Sequence, residues 1–218
     1  GLPNGDVKLK IYDIDKEQIV SKHLGTNPAI EDRIVSNNKN ISSYESAISL
    51  YTSSTDTIYQ IKKNTLIAKY VLDFKNKPRP RGFLETLPLM PRGYQVLLES
   101  GYPSSPLSWE ENTESIYFRF ARNNKFYYNI HDKKTLSSIM CTSNISDNFF
   151  MGIDIEPVGN LKNQFILSID PGNIAMIRNH YKNNNQSDKI KYPSKFKDLL
   201  ESVEADQNAL LAIVTIKN

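Results

Sequence analysis

The sequence predicts an α+β fold with flanking helices, preceded by a helical N-terminal extension. Three observations predict it. Residues 28–35 and 41–51 carry apolar positions at helical spacing, while the first long β-branched and aromatic run begins only at Thr65. Farther on, Ile116–Phe120 and Phe126–Ile130 alternate around Asn123-Asn124, which is a hairpin signal. The boundary of the extension falls between Tyr51 and Asn64, giving an extension over residues 1–64 and a main domain over residues 65–218.

Composition bounds the function classes. A chain of 218 residues can bury a core of ordinary size. With 39% hydrophobic residues and no apolar run near the ~20 residues that a bilayer-spanning helix needs, no membrane span is expected. No charged-then-apolar leader opens the sequence, so the expectation is a soluble chain whose secretion signal, if it had one, has been removed. The formal charge of +3 comes from basic residues interspersed with acidic ones, which argues against nucleic acid as the partner. A single cysteine, Cys141, excludes an intrachain disulfide, and three scattered histidines with it give no metal-ligand spacing.

Taken in order, Lys8–Tyr12 alternates as a strand, and Asp13-Ile14-Asp15 reads as a turn or helix start, lacking the Gly and Glu of a calcium loop. Pro28–Val35 and Ile41–Tyr51 read as amphipathic helices. In the second, Ser42 and Glu45 have capping-box spacing, and Ile41, Tyr44, Ile48 and Tyr51 fall on one face. That stripe packs on the following domain or forms a partner groove. Ser53-Ser54-Thr55-Asp56 breaks the pattern. Thr65–Phe74 is a strand placing Lys69 and Val71 on one face, after which four prolines between positions 78 and 91 forbid regular structure beyond a short turn. Tyr94–Ser100 reads as a helical turn closed by Gly101. Leu136–Thr142 is a strand, Asn144–Met151 a short helix, and Gln164–Asp170 a strand ended by a Pro171-Gly172 turn. Lys182–Ser187 is a polar loop, Ser194–Val203 a capped helix, and Ala209–Ile216 a final strand buried on both faces. Cys141, inside an apolar strand, reads as a small core residue; as a nucleophile it would need His131 or His180 beside it. His131 itself stands at a hairpin end.

Four stretches in this order carry a resemblance. They are Tyr70-Val71-Leu72-Asp73, Leu89-Met90-Pro91-Arg92-Gly93 with Arg79-Pro80 before it, Met140-Cys141-Thr142-Ser143, and the run from Glu204 to Leu210. Together they resemble the enzymatic A subunit of the cholera toxin and heat-labile enterotoxin family, the mono-ADP-ribosyltransferase toxins. The resemblance covers residues 68–216 and implies an ADP-ribosyltransferase-like fold, a split β-sheet of two small sheets enclosing an NAD-sized cleft. It further implies a secreted toxin or effector, acting in a host or target cell cytosol on a protein acceptor, with NAD as substrate and a B-type delivery subunit as partner.

Breaking the nicotinamide glycosidic bond requires a held dinucleotide and a carboxylate against the forming cation. The resemblance places the catalytic acids on Glu204 and Asp206 and the cleft wall on Thr142 and Ser143. The family's first-strand Arg falls on Val71, which donates no hydrogen bond, so Lys69, Arg79 and Arg92, with Arg81 near them, stand as the NAD-binding cations. Because these anchors depart from the family pattern, the alternative is a catalytically degenerate copy acting as an interaction module for a host or partner protein.

Overall fold

The computed structural model describes residues 7–25, 27, 30, 32–33, 40–74, 77–142, 156–183, 201–206 and 208–216. Strands dominate these residues. β1 (Val7–Asp13) and β2 (Gln18–Gly25) pair as a two-stranded sheet. β3 (Ile41–Tyr44), β4 (Ala47–Leu50), β5 (Thr57–Lys62) and β6 (Thr65–Val71) follow one another across a four-stranded sheet. A second four-stranded sheet holds β7 (Ser108–Glu111), β8 (Ser115–Arg122), β9 (Lys125–Asp132) and β10 (Ser138–Thr142), again in chain order. β11 (Glu156–Leu161), β12 (Gln164–Ile169) and β13 (Leu210–Thr215) make a three-stranded sheet. Every register that is resolved is antiparallel. The two four-stranded sheets are meanders of neighbouring strands joined by short connections, whereas β13 joins β12 only after the long segment from Asp170 to Ala209.

The chain folds as two compact units, residues 1–109 with 118–125, and residues 110–117 with 126–218. In the first unit, Leu50, Tyr51 and Ile58 are buried, and five rings run in contact: Tyr70 to Trp109 at 5.6 Å, Trp109 to Phe118 at 6.0 Å, Phe118 to Phe120 at 6.1 Å, and Phe120 to Phe74 at 4.9 Å. A separate cluster of Leu84, Leu87 and Leu97 packs a 3₁₀ turn (Phe83–Thr86) against α1 (Arg92–Glu99). In the second unit, Tyr117, Tyr128 and Phe165 form the core with Leu167 and Val214. Within the second four-stranded sheet burial falls from its first strand to its last: all four residues of β7 are buried and all five of β10 are exposed.

The helical N-terminal extension is overturned. Ile41–Tyr51, expected as a helix, is the β3–β4 hairpin turned at Glu45 with φ 53°. The apolar positions there fit a helical period and an interrupted strand period equally, and the β-branched and hydroxyl residues around them settle the backbone as strand. Glu45 does not close a capping box; its carboxylate accepts from the Tyr44 hydroxyl at 2.8 Å. Asn64 lies in the turn between β5 and β6, so position 64 is the middle of a hairpin. Pro28–Val35 falls largely, and Asn144–Met151 wholly, outside the described residues, as does most of Ser194–Val203.

Other expectations fare variously. The Asn123-Asn124 hairpin is present, with φ of 51° and 56° at the two turn residues, the conformation that Asn tolerates best among residues with a Cβ. Asp13-Ile14-Asp15 is a turn, tied by Lys16 N donating to Asp13 Oδ1 at 3.1 Å. Pro171-Gly172 opens α2 (Pro171–Asn183) instead of a simple turn, because Asp170 Oδ1 accepts the Gly172 N–H at 2.9 Å and Pro suits the first helical position. β13 is buried on one face only, leaving Leu211 and Ile213 exposed. Cys141 is exposed, not core.

Within Leu89–Gly93 only Gly93 is buried, and it serves packing. A Cβ on Gly93 would come within 2.5 Å of the Arg33 carbonyl oxygen and closer still to that of Pro88. In an open helix Gly→Ala gains about 1 kcal/mol; here Gly93→Ala should cost about 1–3 kcal/mol instead, read as a lower denaturant midpoint at unchanged slope. A midpoint that rises would contradict this close approach. Cys141 should react with a thiol reagent in the folded protein at a rate near that of the urea-unfolded chain, and strong native protection would return it to the core.

Candidate functional site

The residues assigned by resemblance are divided between the two units. Lys69, Arg79 and Arg92 belong to the first unit, Thr142, Glu204 and Asp206 to the second, and Ser143 lies outside the described residues. Lys69 is the extra residue where β6 bulges against Ile58 and Tyr59, so it does not share a regular face with Val71; its Nζ stands 5.2 Å from the centre of the Tyr70 ring. Val71 is exposed on β6, an outer strand of its sheet. Arg92 is the exposed first residue of α1, and Thr142 the exposed last residue of β10. Glu204 and Asp206 are exposed in the turn that leads to β13. Tyr70–Val71, Ile139–Thr142 and Phe165–Ile169 belong to three different sheets.

One of the assigned cations does line a cleft. A cavity of about 260 Å³ in the first unit is walled by Ser54, Thr55, Asp56, Arg79, Arg81 and Glu85, with Ile30, Pro80, Phe83 and Leu84 as its apolar part. Prolines at 78 and 80 keep the chain extended there, and Gly82, at φ 80°, turns it into the 3₁₀ segment. Arg79 holds the cleft together. Its guanidinium, with only 7% of the side chain exposed, donates to Asp56 Oδ1 at 3.0 Å, to Ser105 Oγ at 3.1 Å and to the Pro103 carbonyl at 3.2 Å. Those bonds pin two loops, one at Asp56 and one at Pro103 and Ser105, to one planar fork.

Asp56 is the chemically distinctive group. Its Oδ1 takes Arg79 and Ser105, while Oδ2 has no hydrogen-bond partner among the described residues. Burial pushes the carboxyl above its ordinary value of 3.8, against the opposing pull of Arg79 and Ser105. A titrating group raised by burial inside a cleft marks a candidate binding site. Arg81, exposed at the rim, likewise has no polar partner among the described residues. Glu85 meets only Asn27, at 3.5 Å. Asp56 had read as part of a chain break: the signal it gives, a lone acid before a strand, acquires meaning only when Arg79 arrives from 23 residues away.

Elsewhere the described residues hold no cluster of His, Cys, Asp and Glu able to bind a metal. His23 lies 2.9 Å from the Asn64 carbonyl and His131 lies 3.0 Å from the Ser138 hydroxyl. No helix among the described residues is long and apolar enough to cross a membrane.

A family model described as 6-bladed beta-propeller matches residues 5–168. Among solved structures, the chain is similar to one reported as a "Putative exported protein" from Bacteroides fragilis, with a TM-score of 0.71 and 15% identity. The likeness covers 98% of this chain and 59% of that one, so this chain spans less than two thirds of its neighbour. At that identity the likeness shows fold alone. No curated protein matches the chain. These findings overturn the enterotoxin resemblance, the ADP-ribosyltransferase-like split sheet, and with them the toxin activity, and they give no support to action in a host cytosol. NAD, the protein acceptor and the B-type subunit were expected through that resemblance alone and lose their basis with it.

The Asp56–Arg79 pair yields a test with a worked sign. Because the folded carboxyl binds its proton more tightly than the unfolded one, its contribution to stability is greatest below pH 3.8. It declines as pH rises through the raised folded value and is flat above. Asp56→Asn removes this titration together with the carboxyl that accepts from Arg79 and Ser105, and should cost about 1.5–3 kcal/mol in acid, the order of a hydrogen bond to a charged group. The deficit relative to the parent should shrink as pH rises from acid to neutral. A deficit that widens with pH would mean that the Arg79 charge, not burial, governs Asp56.

Proposed function

The chain belongs to the 6-bladed beta-propeller family, and from that premise we propose that it is a ligand-binding module of an exported protein, with the cleft beside Asp56 and Arg79 as its binding site. One observation carries the reading. In the wall of a single cleft, a carboxylate oxygen and an arginine, both without a hydrogen-bond partner among the described residues, accompany a guanidinium already locked in place. Arg79 holds Asp56 before a ligand arrives, which spares the roughly 0.5–1.5 kcal/mol that ordering a side chain on binding costs. Propeller sheets suit that role, since meander strands form a rigid frame and the loops joining them carry the variable chemistry. Export is supported by the description of the Bacteroides fragilis protein.

The volume limits what can bind. At about 260 Å³ the cleft is smaller than the 300–1,000 Å³ of sites for drug-sized ligands, so its ligand is small and binding is weak, at about 1 mM to 1 µM. Two-dimensional amide NMR with a mixed set of small polar compounds tests this. The set should include neutral, zwitterionic, dianionic and nucleotide members. At least one compound should shift the amides of residues 54–56 and 81–85 while leaving β13 unmoved, and Arg81→Ala should weaken it about tenfold. If no compound of any class moves those amides, the cleft is not a ligand site.

A further inference from the structure

Resting on the reading of this cleft as a ligand site, we propose that its ligand is a neutral polyhydroxylated molecule of about monosaccharide size. Arg79 and Asp56 neutralise one another at 3.0 Å, and the remaining two charged groups of the wall, Arg81 and Glu85, are again one of each sign. A cleft balanced in this way gives no net attraction to an anion. A phosphate-bearing ligand, which is held by surplus cations and converging N–H groups, finds none in excess.

Individual groups narrow the class further. The open Asp56 Oδ2 accepts a proton donor, and Arg81 offers N–H donors that no described residue engages. A hydroxyl serves both, donating to the carboxylate and accepting from the guanidinium. A ligand carboxylate near Asp56 would meet like charge. A ligand ammonium on Oδ2 would approach the Arg79 guanidinium, which is fixed on the other oxygen of the same carboxylate. Burial that lifts the Asp56 carboxyl favours a hydroxyl again, because a hydroxyl bonds the carboxyl in either protonation state.

The other wall of the cleft agrees. Ile30 and Phe83 pack against the Leu84, Leu87 and Leu97 cluster, and the Phe83 ring is held edge-on to Tyr102 at 5.0 Å. A fixed apolar surface facing a row of polar groups matches a ring that shows C–H on its faces and hydroxyls on its rim. Cavity size admits one such ring and not a dinucleotide.

The test keeps one ring and varies its charge. The full chain is titrated with a panel of neutral aldohexoses, pentoses and inositols, and in parallel with glucosamine, glucuronate, glycine and inorganic phosphate, following amide shifts. At least one neutral compound should shift residues 54–56 and 81–85 and bind at least tenfold more tightly than glucosamine or glucuronate. Arg81→Ala should lower its affinity at least tenfold with the melting temperature unchanged, since Arg81 is exposed and makes no polar contact in the fold. Preference for a charged compound at those amides would overturn the class proposed here while leaving the cleft a ligand site. Silence from every compound would overturn both.

Discussion

The ring contacts from Tyr70 through Trp109, Phe118 and Phe120 to Phe74 are the constraint on which the first unit depends. Tyr70 and Phe74 sit at either side of the end of β6, and Trp109 lies in β7, so the contacts close a segment of more than thirty residues at both of its ends. That segment carries Arg79, Arg81, the 3₁₀ turn and α1. Each aromatic pair contributes about 0.5–1.5 kcal/mol beyond its buried area. The contacts must also offset a defect: Trp109 Nε1 is buried with no hydrogen-bond partner among the described residues, at a cost of about 1–3 kcal/mol. With the ends fixed by apolar contacts, polar bonds of Arg79 need only position the middle. Clefts form where rigid packing lets side chains keep unsatisfied valences.

What the sequence revealed follows from how local each signal is. The Asn123-Asn124 hairpin was legible because two residues in the left-handed region are a local requirement that Asn meets at little cost. β6, β12 and β13 were legible from β-branched runs. β7 was not: Ser108-Trp109-Glu110-Glu111 reads as polar, yet all four residues are buried. Its carboxylates are tolerated inside because Lys133 reaches Glu111 at 2.9 Å and Asn160 reaches Glu110 at 3.2 Å, partners 22 and 50 residues distant. No window of sequence contains that compensation. Leu89-Met90-Pro91-Arg92-Gly93 misled in the opposite way, since a match of five residues was taken for a site where only Gly93 is constrained, by close approach, and the other four are exposed.

The candidate site was legible in one residue and for a reason that did not hold. Arg79 was singled out as a grip for NAD, whereas it is a structural fork whose three acceptors lie at positions 56, 103 and 105. Asp56, Ser54 and Thr55 looked like punctuation because small polar residues before a strand usually are. Only tertiary structure separates a turn acid from a binding acid, through the degree of burial and the count of occupied lone pairs.

A comparison within the chain shows why the Asp56 pair, and not its counterpart, makes a site. Lys133 and Glu111 form the second unit's buried ion pair, with the carboxylate the hidden member at 2% exposure and the cation at 26%. Glu111 has further interactions of its own, and Lys133 also donates to the Asn112 carbonyl, so that pair is spent on the fold. In the first unit the order is reversed. The guanidinium is hidden at 7% and the carboxylate stands at 28%, partly desolvated and with one oxygen still open. Burying the cation fixes geometry because Arg stays charged at any accessible pH and its fork has set directions. Leaving the carboxylate at the edge keeps one acceptor oxygen without a partner among the described residues, in a cleft that Arg81 also lines.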